Sequence, residues 1–231
     1  MKFLNSLLNL VYPNVCEVCG RTLVRGERLM CLHCLADLPL TNAHREDFGI
    51  IHKRLASTIP LERAAGYFYY FKNDPYTRLI HSAKYSGRPK LARMLASQFS
   101  ASLRKEGFFD GIDAVVPVPM HWIKKIRRGY NQSEYVGKGI SDVTSLPVVE
   151  LLRAAKAHRT QTALGGQARW RNLQDVYKTV EGDVGTGYRH VLVVDDVVTT
   201  GATLLSCCKA LHDKWPDMRI SVLVLGVTRL S

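Results

Sequence analysis

The sequence predicts an α/β protein: a parallel sheet with helices on both faces, plus a small N-terminal four-cysteine module. Three observations carry this. The aliphatic runs 113–119, 190–194 and 221–227 lack the alternation of half-exposed strands and read as strands buried on both faces. Segments with helical spacing precede them (76–85 and 90–105) and separate them (132–143 and 204–212), as strand–crossover–strand units require. Two Cys-x-x-Cys pairs, Cys16/Cys19 and Cys31/Cys34, mark the N-terminal module. The 231 residues suffice for one domain of about 200 residues with an appendage. The division expected is 1–45 for an N-terminal helix and the module, and 46–231 for the main domain.

Composition narrows the class. A hydrophobic content of 46% excludes a disordered chain. Lys and Arg number 32 against 20 Asp and Glu, a net charge of +12. That excess favours polyanionic partners (nucleic acid, phosphorylated molecules or an acidic membrane surface) without choosing among them. No apolar run reaches the roughly 18 residues of a transmembrane segment. Residues 1–11 lack the longer apolar region and small-residue cleavage site of a signal peptide. Phe3, Leu4, Leu7, Leu8 and Val11 fall at helical spacing and predict a docking helix. The expected location is cytoplasmic, where thiols stay reduced.

In chain order, the cysteine pairs come first. Cys16, Cys19, Cys31 and Cys34, with eleven residues between the pairs, offer four thiolates to a tetrahedral zinc ion. Four protein ligands leave no open position, so the site is expected to be structural. His33 is the alternative to one cysteine. Residues 21–30 read as a hairpin turning at Gly26, and 35–60 as a linker carrying His52-Lys53-Arg54. Residues 61–71 hold Gly66-Tyr67-Phe68-Tyr69-Tyr70-Phe71, an aromatic run with strong β propensity. It reads as an edge strand packed on the core, with nucleobase stacking beside Lys72 and Arg78 as the alternative.

The helix 76–85 ends at Ser86-Gly87-Arg88-Pro89, and Lys84 beside that turn reads as a solvated helix end or an anion contact. The strand 113–119 ends in prolines that cannot continue a ladder. Lys124-Lys125-Ile126-Arg127-Arg128 then predicts an exposed cationic loop above the strand's C-terminal end, followed by the helix 132–143 and a third strand at 148–153. Residues 158–173, rich in charge and glycine, read as a lid carrying Arg159, Arg169 and Arg171 toward an anion, or as a solvated loop. A short strand over 177–180 is expected to follow. Cys207 and Cys208 read as buried small residues.

The stretch His190-Val191-Leu192-Val193-Val194-Asp195-Asp196-Val197-Val198-Thr199-Thr200-Gly201-Ala202-Thr203 carries the most chemistry. A buried strand delivers two acids, and a Thr-rich turn then opens a helix whose free N–H groups suit a phosphate. The stretch resembles the ribose-5-phosphate loop of type I phosphoribosyltransferases, which bind phosphoribosyl pyrophosphate (PRPP). The order of motifs along the chain is similar to the ComF family (competence protein F, also called GntX-like). It comprises the four-cysteine finger, Lys84-Tyr85-x-Gly87, Val116-Pro117-Val118-Pro119, Arg128-Gly129-Tyr130-Asn131-Gln132-Ser133-Glu134, Arg159-Thr160-Gln161-x-x-Leu164 and the loop itself.

The resemblance implies a type I phosphoribosyltransferase-like sheet with helices on both faces. Asp195 and Asp196 would take the ribose hydroxyls, and Thr199, Thr200, Gly201, Ala202 and Thr203 the 5′-phosphate. Lys84 and Arg169 join this ligand set, and Arg159 joins the acid pair as catalytic. Mg²⁺ would arrive with the pyrophosphate. The resemblance further implies a role in DNA uptake during natural transformation, with PRPP, single-stranded DNA and competence-machinery proteins as partners. Two functions follow: phosphoribosyl transfer to an acceptor, or a non-catalytic single-stranded-DNA binder that senses PRPP. One departure stands out. Pro117-Val118-Pro119-Met120 occupies the turn where many phosphoribosyltransferases offer backbone N–H to pyrophosphate, and proline has none.

Overall fold

The computed structural model describes residues 14–46, 49–55, 59–71, 74–85, 88–155, 176–182 and 184–228. The expected N-terminal helix, Gly87 and the expected lid at 158–173 lie outside the described residues. Four strands, β1 (Ala64–Tyr70), β2 (Ala114–Pro117), β5 (His190–Val198) and β6 (Arg219–Thr228), form an all-parallel sheet in the order β1-β6-β5-β2. A two-stranded antiparallel ribbon, β3 (Leu152–Ala154) with β4 (Tyr177–Thr179), stands beside it. The strand expected over 148–153 is thus split. Val148 bridges to Val115 of the main sheet, and the chain then leaves the sheet to pair with β4.

Burial on both faces explains the unbroken aliphatic runs. Leu192, Val194, Leu223 and Leu225 pack under α3 (Thr77–Tyr85), α4 (Pro89–Lys105) and α6 (Gln132–Thr144). Val191, Val193, Val222 and Val224 pack under α2 (Ile50–Leu55) and α7 (Ala202–Lys214). The aromatic run belongs to the core: Tyr67 is buried and stacks on Phe99 at 4.5 Å, and Phe68 is fully buried. Those two rings are closed to nucleobases.

Two local expectations differ from the structure. The described residues within 35–60 are folded: α1 (Leu32–Ala36) ends there, a 3₁₀ turn (Ala43–Arg45) and α2 follow, and Leu40 bridges to Phe68 of β1. Polar composition suggested a linker, but Ile51 and Leu55 are buried against the sheet. Residues 21–30 form a turn at Gly26 without a ladder. The Glu27 carboxylate does the pairing, accepting from the amides of Val24 (2.9 Å) and Leu32 (2.7 Å) and from Arg21 (3.2 Å).

The closest helix contact lies between α4 and α6. A Cβ at Gly139 would sit 2.2 Å from the Arg93 carbonyl oxygen, and Ser97 donates to the Gly139 carbonyl at 3.0 Å. Gly139→Val should therefore lower the free energy of unfolding by about 2–3 kcal/mol, the cost of overpacking. Urea titration should show a lower midpoint at unchanged slope, with Gly187→Ala, where an added Cβ meets nothing within 4 Å, as the neutral control.

Candidate functional site

Helix α6 follows β2 onto one face of the sheet, and α7 follows β5 onto the other. Between β2 and β5 the crossovers therefore diverge, leaving a crevice at the strands' C-terminal ends, the usual ligand position in open parallel sheets. A cleft of about 210 Å³ occupies it, and Lys84, Lys124, Arg128, Asp195, Asp196 and Thr203 are among its walls.

The acid pair sits where β2 stops. Pro117 pairs with Val194, the Val118 amide donates once more to the Val194 carbonyl at 2.9 Å, and Asp195 is the next residue along β5. The side of β5 so vacated is filled by the N-terminus of α6. Asn131 caps that helix by accepting from the Ser133 amide at 3.2 Å, and its side-chain amide donates to the Val118 carbonyl at 3.0 Å. Ser133 is thereby aimed at Asp195, donating to Oδ1 at 2.8 Å, an oxygen that also accepts the Asp196 amide at 2.8 Å. Burial and the neighbouring Asp196 push the Asp195 carboxyl above the usual carboxylate range, against the pull of Ser133 and Lys84.

Lys84 meets Asp196 at 3.1 Å. Burial works against its ammonium, but attraction to Asp196 and Asp195 outweighs burial and raises it above the ordinary lysine value. The helix end carrying Lys84 is held from α6's side. Tyr130 donates to the Ala83 carbonyl at 2.8 Å, Gln132 to the Lys84 carbonyl at 3.4 Å, and Arg128 to Gln132 at 3.2 Å. The stretch 124–128 is a helix, α5 (Trp122–Arg128), where a loop was expected. His121 caps its start, and Gly129, at φ +81°, ends it with its amide on the Lys125 carbonyl at 2.7 Å.

Beyond the acids, Gly201 adopts φ +85° as the N-cap of α7 and offers no side-chain cap; the Ala202 amide donates to the Thr200 hydroxyl at 3.4 Å, and the later first-turn N–H groups point to the cleft end of the helix. An added Cβ at Gly201 would lie 2.9 Å from Leu55, so both conformation and space favour glycine there. Arg54 of α2 braces the turn, donating to the Thr199 carbonyl at 2.7 Å and to the Thr228 carbonyl. Thr199 and Thr200 are exposed, Ala202 is half-buried, and Tyr177 of β4 is hydrogen-bonded to the Thr203 side chain. The structure thus brings Lys84, Asp195, Asp196 and Thr203 into one cleft, with residues 199–202 at its rim. Arg159 and Arg169 lie outside the described residues. Sequence reasoning missed Arg54, Asn131, Gln132, Ser133 and Tyr177 as individual contributors. The Asn131-x-Ser133-Glu134 run was an available signal, since it is an N-cap pattern just after a strand end.

The four cysteines form the second site. Their sulfurs all lie within 4.8 Å of one another, with Cys19 and Cys31 3.8 Å apart. A zinc ion about 2.3 Å from each sulfur sets neighbouring sulfurs about 3.8 Å apart, so the residues fit the ion. Gly20, at φ +75°, turns the first knuckle, its amide donating to the Cys16 carbonyl at 2.9 Å. Burial opposes ionisation of Cys16, but the amides of Cys19, Cys31 and Val18 outweigh it and lower that thiol; burial and the other thiols push Cys34 up. Four such thiols cannot all ionise against one another, and a divalent cation at their centre relieves that repulsion. The module is tied to α3 and its preceding turn. Tyr76 donates to the Cys34 carbonyl at 2.9 Å and Arg78 to the Val18 carbonyl at 3.3 Å.

Together these features define an α/β protein with a crevice at a divergent pair of crossovers and, packed on one flank, a four-cysteine cluster able to hold a metal ion. The chain is 28% identical to the DNA utilization protein YhgH of Escherichia coli (strain K12) over 208 residues, covering 88% of this chain and 86% of the relative. It is 29% identical to competence protein F of Haemophilus influenzae over 60% of this chain and 62% of that one. Competence protein ComFC of Bacillus subtilis is 20% identical over 95% of this chain and 80% of the relative. No family model matches. The similarity to the ComF family carried by the motifs is borne out by these relatives.

The acid pair gives a pH signature. Below the carboxylate range of the unfolded chain, Asp195 is protonated in both states and costs nothing. As pH rises toward its elevated folded value, the unfolded chain releases a proton that the folded chain keeps, and stability falls. Asp195→Asn keeps the oxygen that Ser133 meets and removes the buried charge. It should raise the melting temperature by about 2–4 °C near neutral pH, with the gain vanishing near pH 4 in a calorimetric series.

Proposed function

We propose that the chain binds PRPP in the crevice between β2 and β5 and acts in the handling of DNA taken up by the cell. The observation that carries the first half is the pairing of Asp195-Asp196 at a buried strand's end with the Gly201-started N-terminus of α7. Two carboxylates suit adjacent ribose hydroxyls, and free N–H groups at a positive helix end suit the 5′-phosphate on the same sugar. The second half is supported by the names of the relatives, which speak of competence and DNA utilization.

The cleft's cations would meet the pyrophosphate end. Pro117 and Pro119 have no N–H, and the Val118 amide is taken by Val194. Charge at that end falls to Lys84, Lys124 and Arg128, all in the cleft wall, and to Mg²⁺ carried in by the ligand. If a phosphoribosyl group is transferred, these cations stabilise the leaving pyrophosphate while the acid pair faces the electron-poor sugar. Lys84 spans both ends by its contact with Asp196. Arg159 and Arg169 complete the proposed ligand set.

A second reading, a single-stranded-DNA binder, has its own support. A larger groove of about 1080 Å³ runs between the cysteine module and α3, lined by Arg21, His33, Tyr70, Tyr76, Arg78 and His81 among others. Basic and aromatic groups along a groove are the chemistry of sequence-tolerant strand binding, and the net charge of +12 favours it.

Calorimetry with PRPP and Mg²⁺ checks the first reading. Asp195→Ala with Asp196→Ala should abolish heat of binding while circular dichroism stays native; unaltered affinity excludes the crevice as the site. Binding of a labelled single strand should weaken steeply with salt, about tenfold or more between 50 and 200 mM if several phosphates are met. A flat salt series removes the second reading. Elemental analysis should find one zinc per chain, lost on Cys16→Ser.

A further inference from the structure

Helix α5 is the one described helix of its length with no buried residue, and it is amphipathic in an inverted sense. At about 100° per residue, Trp122, Ile126 and Ile123 fall on one arc of roughly 100°. All three are exposed: Trp122 by 64%, Ile123 by 50% and Ile126 by 74%. The opposite side of the helix faces its own protein through polar contacts, Lys125 to Glu134 at 2.9 Å and Arg128 to Gln132 at 3.2 Å. The apolar arc therefore points away from the rest of the described residues. Arg127 and Lys125 flank the arc on either side, both exposed, and the helix holds no acidic residue.

We propose that this face docks the protein on an acidic membrane surface, with Trp122, Ile123 and Ile126 entering the headgroup–acyl boundary and the flanking Arg127 and Lys125 meeting anionic headgroups. Apolar side chains bordered by cations are the recognition chemistry of an interfacial helix. Charge argues against a second copy on the same face, since it would set the Arg127 and Lys125 of each copy against one another. Two β-branched aliphatics beside one tryptophan are poor partners for stacked bases, which favours lipid over a nucleic-acid strand. The face is convex, unlike the grooves that hold peptides, and suits a soft planar surface. Docking would be peripheral and reversible, because no described helix is long and apolar enough to span a bilayer. Lys124 and Arg128, from the same helix, line the crevice. Both lie on the side of α5 away from the apolar arc, so docking through the arc would leave the crevice clear of the lipid. This proposal stands whether or not PRPP is the crevice's ligand.

The test is co-sedimentation of the full, zinc-loaded chain with vesicles of phosphatidylcholine alone or with about 30% phosphatidylglycerol, at ~0.15 M salt. Wild type should pellet with the acidic vesicles and not with the neutral ones. Trp122→Ser/Ile123→Ser/Ile126→Ser should weaken that binding about tenfold or more. Arg127→Glu should weaken it through charge alone. Because these side chains are exposed, the melting temperature of each variant should match wild type. Failure of wild type to bind acidic vesicles, or undiminished binding by the triple variant, overturns the proposal. It is equally overturned if the triple variant leaves vesicle binding intact but abolishes self-association in sedimentation velocity or retention of a single-stranded oligonucleotide.

Discussion

Two carboxylates set side by side at the end of a buried strand are the constraint that organises this protein. Asp195 and Asp196 repel each other in a place where water does little to screen them, and a single long strand has no local means of holding them. Three separate elements converge to do so. The end of β2 uncovers the flank of β5, α6 brings Ser133 to Asp195, and α3 brings Lys84 to Asp196. The segment 128–134 links the two supports, since its side chains reach both Asp195 and the carbonyls at the end of α3.

That arrangement gives up stability for a site. Asp195 keeps a proton longer than a surface carboxylate, a buried lysine is committed to an acid, and α7 opens on a glycine that offers no side-chain cap. Each departs from what a helix or core would adopt for stability alone. Departures of this kind concentrate where a ligand is to be held. By contrast, the far end of the same sheet is conventionally satisfied: Asp113 accepts the amides of Arg189 and His190 at 2.7 and 2.8 Å.

Much of this was legible in the sequence, for identifiable reasons. The central strands and the helices after them were readable because burial on both faces leaves unbroken aliphatic runs, which polar side chains cannot imitate. The cysteine spacing was readable because metal geometry is local. What escaped was long-range. Arg54 looks like part of a basic patch until α2 is seen against the turn at Thr199. Ser133 looks like an ordinary helix start until β2 stops one residue short of Asp195. The 124–128 run suggested a loop because its charges hid a short helix whose apolar side chains have no place in the core. Residues 35–60 suggested a linker because only a few apolar positions, chiefly Ile51 and Leu55, anchor them.

The cysteine module is connected to the crevice by the same covalent element that carries Lys84. Tyr76 and Arg78, on and just before α3, donate to carbonyls beside Cys34 and Cys19, and Lys84 stands about two turns further along. Cys16, Cys31 and Cys34 belong to the same buried cluster as Leu79, Ile80 and Ala83 of that helix. A helix so short, carrying a lysine whose charge must be delivered to a buried acid, cannot be placed by its own propensity. It is placed by what grips its two ends: the cysteine cluster's loops at the start, and Tyr130 with Gln132 at the finish. The four-cysteine module is thereby part of the scaffold that sets a cation beside Asp196, some distance away in the fold, and a metal held by those cysteines would firm that scaffold. This gives the four cysteines a reason to accompany this crevice that needs no catalytic role for the metal.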